Sequence, residues 1–198
     1  MKELKISKGN VKMGQIPSIS LPPCITCRPD APCFKECYAR RMQRYSNVKN
    51  AYNSNLELYN NNPDSYFKQL DAALCINRYF RVHVSGDCPD ADYFRRLVTV
   101  VASNPGCTVL MFTKRYEFVN EFIRDGGAIP DNFKIVFSNW FGWKCKNPYK
   151  FPETEVYNDG DDVPDNWLLC GGNCQNCACR GVGCWQLQRG DVLAFKKH

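Results

Sequence analysis

Apolar residues change their period partway along this chain. Early on they recur at helical spacing. Val48, Ala51, Tyr52, Leu56 and Tyr59 share one face of a helix over 47–60, and Tyr66, Phe67, Leu70 and Leu74 one face of a helix over 65–75. Asn62-Pro63-Asp64 breaks the first and starts the second. From residue 79, short apolar runs alternate with amphipathic stretches. Residues 79–85, 107–112 and 133–137 read as strands; CTVLMF over 107–112 is apolar throughout, as a strand buried on both faces requires. Between them lie two helices. One, with Asp90 or Asp92 as its cap, buries Phe94, Leu97, Val98 and Val101. The other covers 115–124 and stops at Gly126-Gly127.

This β-α-β-α-β alternation with short connections predicts a right-handed parallel α/β sheet. Upstream, residues 1–23 read as an extended arm with a short strand near 16–21. A Cys/Pro-rich loop follows over 24–33, then a helix over 34–45. After Trp140 the periodicity dissolves. Residues 141–169, rich in Pro, Asn, Asp, Gly and aromatics, read as a loop-rich connection ordered by the cysteines that follow, and the tail 185–195 as one short strand or helix. The expected organisation is a βα unit over 1–140 carrying the first cysteine loop, with a loop-rich cysteine module over 141–198 packed on it.

Cysteine changes this picture most. Nine of the 13 fall in two tight groups, Cys24-x2-Cys27-x5-Cys33-x3-Cys37 and Cys170-x3-Cys174-x2-Cys177-x-Cys179-x4-Cys184. Thiolates at such spacings converge on one centre, as metal or iron–sulfur ligation requires. A disulfide scaffold fits less well. The count is odd, 198 residues at 44% hydrophobic can build a real core, and residues 1–20 hold no apolar run of signal-peptide length. The expected compartment is a reducing cytosol. Cys27, Cys33 and Cys37 are assigned to one 4Fe-4S cluster, with Cys24 a candidate fourth ligand, and Cys170, Cys174, Cys177 and Cys184 to a second. Cys179 is left out because ligands one residue apart strain a cubane. The scattered Cys75, Cys88, Cys107 and Cys145 read as buried thiols.

Parallel α/β proteins bind ligands at the carboxyl ends of their strands. Those ends here read His83-Val84-Ser85-Gly86-Asp87, Phe112-Thr113-Lys114-Arg115 and Ser138-Asn139-Trp140. Ser85, Gly86, Asp87, Thr113, Lys114, Ser138 and Asn139 are therefore expected around one cavity facing the first cysteine group. Gly86 would let a ligand approach the backbone, and His83 reads as a satisfied core histidine. The formal charge of +6 permits an anionic partner. Lys35, Arg40, Arg41 and Arg44 form a basic patch around Cys37, suited to nucleic acid or a host protein, and no stretch approaches the roughly 20 apolar residues of a membrane span.

Ile16-Pro-Ser-Ile-Ser-Leu-Pro-Pro23, Cys33-Phe-Lys-Glu-Cys37-Tyr38-Ala39, His83-Val-Ser-Gly-Asp87, Phe112-Thr-Lys-Arg-Tyr116, Phe137-Ser-Asn-Trp140 and Cys170-Gly-Gly-Asn-Cys174 together resemble the phage protein family called gene product eighty-eight, over nearly the whole chain. More distantly the chain resembles radical S-adenosylmethionine proteins. That resemblance implies a parallel βα part-barrel. Three loop cysteines, here Cys27, Cys33 and Cys37, would hold a catalytic cluster, with the aromatic Tyr38 after the last. Gly86-Asp87 stands where those proteins hold the amino group of S-adenosylmethionine, and the second cysteine group matches their auxiliary cluster modules. The loop spacing departs from the superfamily's x3, x2 pattern, which instead occurs at Cys170-Cys174-Cys177. The implied function is radical chemistry on an unspecified substrate. The alternative is a non-enzymatic iron–sulfur or zinc protein that binds nucleic acid or a host protein. If the chain is phage-encoded, the cytosol is the host's.

Overall fold

A computed structural model describes residues 2–197. Its centre is a seven-stranded, wholly parallel sheet in the order β1-β2-β3-β4-β5-β7-β6. The strands are β1 (Ser18–Ile19), β2 (Tyr79–Val82), β3 (Thr108–Thr113), β4 (Phe133–Ser138), β5 (Glu153–Tyr157), β6 (Leu168–Leu169) and β7 (Val192–Lys196). The helices are α1 (Tyr38–Met42), α2 (Ser46–Asn61), α3 (Pro63–Cys75), α4 (Ala91–Ala102), α5 (Tyr116–Arg124) and α6 (Cys174–Arg180). Among the described residues no helix is long and apolar enough to cross a membrane.

Alternation along each strand assigns the two faces. Phe80, Val82, Val109, Met111, Ile135 and Phe137 point to one side, where they pack with Leu58, Leu70, Leu74, Phe94 and Val119 from α2–α5. Leu110, Val136 and Leu193 point to the other, where they meet Ala178, Trp185 and Leu187 from the cysteine-rich C-terminal segment. Each fully buried Leu or Phe contributes about 1.5–3 kcal/mol, so both layers are held by the hydrophobic effect. Local signals start the helices as the sequence indicates. Asn62 accepts from the Ser65 N–H with Pro63 in the first turn, and Asp90 accepts from the Tyr93 N–H at 2.8 Å.

Three elements differ from expectation. The helix over 34–45 is only α1, preceded by a 3-10 turn at Pro32–Phe34. Cys37 interrupts it with an extended backbone (φ −61°, ψ 112°), which overrides helix propensity. Residues 141–169 are not all loop, because β5 sits between β4 and β7. Glu153 and Glu155 disguise this strand; they point to polar partners described below. Finally α6 forms among cysteines, capped by the Asn173 side chain and stopped by Gly181 at φ 63°. The sheet thus runs through both the 1–140 and the 141–197 segments.

His83 is buried just past β2 with its ring against Tyr93 at 5.3 Å, but neither ring nitrogen has a partner, so it is not a satisfied histidine. Burial lowers its pKa from 6.5 to about 3. The unfolded chain takes up this proton near 6.5 and the folded chain only near 3. Protons in that window therefore favour unfolding, and the stability present above pH 6.5 is lost as pH falls, by about 1.4 kcal/mol per unit. His83→Asn keeps a residue tolerant of the observed φ of 56° and removes the titration. Urea midpoints between pH 7.5 and 4.5 should fall less steeply in the variant; parallel slopes would contradict the assignment.

Candidate metal and ligand site

The first cysteine group lies over the carboxyl end of the sheet. After β1 the chain passes through Pro22-Pro23 and turns at Cys24 (φ 66°). Thr26 pins the turn: its hydroxyl donates to the Pro22 carbonyl at 3.1 Å and accepts the Asp87 N–H at 3.0 Å. Arg28 ties the far side to α5, donating to Glu117 at 2.7 Å and lying over the Tyr116 ring at 4.7 Å. All thirteen cysteines are free. Burial pushes the thiols of Cys24, Cys27 and Cys33 up, Cys27 to about 12. After burial, the Cys37 charge raises Cys24, the Asp87 charge raises Cys27, and the Lys114 charge lowers Cys33. The four thiols of this loop therefore lie within electrostatic reach of one another, and Cys27 and Cys33 also of Asp87.

Beneath them a line of hydrogen bonds crosses the strand ends. The Ser85 N–H donates to Ser20 Oγ at 3.2 Å. Asp87 Oδ1 accepts from the Thr113 hydroxyl at 2.7 Å and the Cys88 N–H at 2.8 Å, and Oδ2 accepts from the Lys114 N–H at 2.8 Å. Lys114 Nζ donates to Ser138 Oγ at 2.7 Å and lies 5.9 Å from the Trp140 ring centre. Asn139 Nδ2 donates to Glu153 at 2.6 Å and Glu155 at 2.9 Å, and Lys144 pairs with Glu155 at 3.0 Å. Burial raises the Asp87 pKa, while the Thr113 hydroxyl, the two backbone N–H groups and the Lys114 charge pull it down. The donors reach both carboxylate oxygens, as an ionised carboxylate accepts them.

Asp87, Thr113, Lys114 and Ser138 thus come together, with Asn139 in the adjoining Glu153–Glu155 network. They do not open a cavity among themselves: Asp87, Thr113 and Asn139 are 5%, 1% and 0% exposed. Lys114 and Ser138 stay partly accessible. Gly86 has a different task from the one expected. At φ 75°, an added Cβ would lie 2.6 Å from the Leu21 carbonyl oxygen and 2.7 Å from Thr26 Oγ1. Its missing side chain is filled by the cysteine loop itself. Tyr38 anchors α1 by donating from its hydroxyl to the Val84 carbonyl at 2.9 Å.

The second group packs against the opposite face of the sheet from α2–α5. The Cys174 N–H donates to the Lys12 carbonyl at 2.9 Å, and Trp185 Nε1 donates to the Cys174 carbonyl at 3.0 Å. Burial raises Cys177, as do the charges of Cys170 and Cys174. Cys184, pushed to about 12, lies within reach of Arg81, Cys170, Cys174 and Cys177. Cys170, Cys174, Cys177 and Cys184 thus lie within electrostatic reach of one another, and both Cys170 and Cys179 are solvent-exposed. Cys88, Cys107 and Cys145 are buried as expected; Cys75, the last residue of α3, is exposed instead. Among the described residues no three His, Cys, Asp or Glu side chains are drawn onto a single-ion site. Free thiols are the donor type that a thiolate-ligated centre uses, and each group holds at least four.

Sequence reasoning missed Thr26, Glu153, Glu155 and Arg81. Nothing in a Thr between two cysteines marks it. Arg81, charged in an otherwise apolar strand, carried a signal.

An open parallel α/β sheet with one thiol group over its carboxyl edge and another on one face defines the class of protein. The family model for Gene product 88 matches residues 2–140, and the chain belongs to that family. The match takes in the first thiol group and β1–β4. No curated protein and no solved structure matches the chain.

Asp87→Ala would leave the Thr113 hydroxyl and the Lys114 and Cys88 N–H groups without their acceptor. It should cost about 2–4 kcal/mol in urea unfolding; a loss under about 0.5 kcal/mol would mean that water replaces the carboxylate freely.

Proposed function

We propose that the chain is an iron–sulfur protein with two 4Fe-4S clusters. Cys27, Cys33 and Cys37 hold one and leave its fourth iron open, with Cys24 nearby but not a ligand; Cys170, Cys174, Cys177 and Cys184 hold the other. The first serves S-adenosylmethionine-dependent radical chemistry. The observation that carries this reading is the position of the first thiol group, over the strand ends and within electrostatic reach of Asp87 and Lys114. A cluster bound there, once reduced by an external electron donor, would supply the single electron for reductive cleavage of the sulfonium of S-adenosylmethionine.

The chain's own residues hold and shield. Lys114 is a partly accessible cation beside Ser138, suited to the methionyl carboxylate. Asp87 fixes the Lys114 backbone. The packed loop and Gly86 close the floor of the site. The binding is tested on anaerobically reconstituted protein by calorimetric titration with S-adenosylmethionine. Lys114→Ala should weaken it about 10–100-fold, the worth of a charge-assisted hydrogen bond, with iron content unchanged. Cys33→Ala should remove one cluster's worth of iron, about four, and abolish binding. No binding by the wild-type chain with both clusters present would remove the enzymatic reading.

A second reading, a non-enzymatic nucleic-acid-binding protein with clusters or zinc as staples, is favoured by a separate observation. Lys35, Arg40, Arg41 and Arg44 are all exposed around α1, beside Tyr38 and Tyr45, themselves 57% and 47% exposed. Cations interleaved with aromatic rings suit a single strand, whose phosphates and bases they contact. Binding to a labelled oligothymidine should weaken with salt and fall about tenfold or more in an Arg40/Arg41/Arg44→Ala variant. Equal, weak binding by both proteins would leave the patch as a solvated surface or a protein contact.

A further inference from the structure

Arg81 lies in β2, on the face that meets the second thiol group. Its Nη1 donates to Cys174 Sγ at 3.4 Å, and its guanidinium lies 4.8 Å from the Phe112 ring centre. Its charge acts on Cys184 on one side and on the Tyr38 hydroxyl, next to Cys37, on the other. Its Nε is buried with no hydrogen-bond partner. The ion pairs among the described residues are all made by other cations.

A partly buried guanidinium without a carboxylate is costly unless some other negative group balances it. The groups around it are an aromatic ring, a phenol and cysteine sulfurs. Thiols are neutral, but four thiolates on a four-iron cluster or a zinc ion leave a net negative charge on the centre. A thiolate-ligated metal centre on these cysteines would supply the balancing charge. Phe112 lies against the guanidinium, and Nη1 donates to Cys174 Sγ.

We infer that Arg81 is the built-in countercharge of a metal centre on Cys170, Cys174, Cys177 and Cys184, retaining the metal and raising the reduction potential of the cluster. This rests on the iron–sulfur reading above. Hydrogen bonds and positive charge at cluster sulfurs stabilise the reduced, more negative state.

The test uses the full chain, purified anaerobically, with Arg81→Met and Arg81→Lys. Arg81→Met removes the charge and the donor while keeping much of the bulk. It should lower the potential of one cluster in an EPR-monitored redox titration, and weaken metal retention against a chelator about 10–100-fold. Arg81→Lys should stay nearer wild type in potential. A folded Arg81→Met with wild-type potential and retention overturns the role of Arg81 and leaves the clusters standing. If Arg81→Met does not fold, Arg81→Gln carries the test, and wild-type values in it overturn the role equally. Wild-type protein without bound metal overturns the iron–sulfur reading itself.

Discussion

A carboxylate buried at the end of a parallel strand must collect donors from whatever chain passes nearby, and Asp87 collects them from β3 as well as from its own turn. Thr113 and the Lys114 N–H reach it from the end of β3, and the Cys88 N–H from the turn. The Asp87 N–H in turn ties down Thr26, inside the first cysteine loop. One buried residue therefore fixes the distance between the thiol group and the sheet edge, and it orients the backbone that carries Lys114. Gly86 makes the same junction possible sterically, since a side chain there would collide with Leu21 and Thr26. Positioning is bought here with burial of a charge, which is tolerable because all its donors are fixed in place.

The sheet gives its two thiol groups different surroundings. The first sits at the strand ends, among polar side chains and next to an exposed basic surface. The second is packed on one face against Leu110, Val136 and Trp185, roofing apolar side chains that would otherwise meet water. Its segment supplies β7, which pairs with β5 along its whole length. Order in residues 141–197 therefore has two sources, backbone pairing into the sheet and packing around the thiols.

The βαβα core was legible because its apolar residues repeat at clean periods, and the carboxyl-end residues because parallel topology brings strand ends to one edge. The grouping of the thiols was legible from spacing, and the structure keeps each group local, one at the strand ends and one on a sheet face. What escaped had local signals pointing elsewhere. Glu153 and Glu155 make β5 read as loop, yet their carboxylates are drawn in by Asn139 and Lys144, partners remote enough in sequence to carry no periodic signal. The 34–45 segment has helix-forming residues, but Cys37 is held extended. The role of Gly86 depends on a loop some sixty residues away, which no turn rule reports. Arg81 lies in β2 and His83 just past its end, where a φ of 56° takes its ring to the Tyr93 side of the sheet.

The central claim is that both thiol groups hold iron–sulfur clusters. Native mass spectrometry of the chain purified without oxygen measures this directly. The account predicts a species heavier than the bare polypeptide by two 4Fe-4S clusters, about eight irons and eight sulfides. A species carrying two zinc ions, or the bare polypeptide alone, would contradict it.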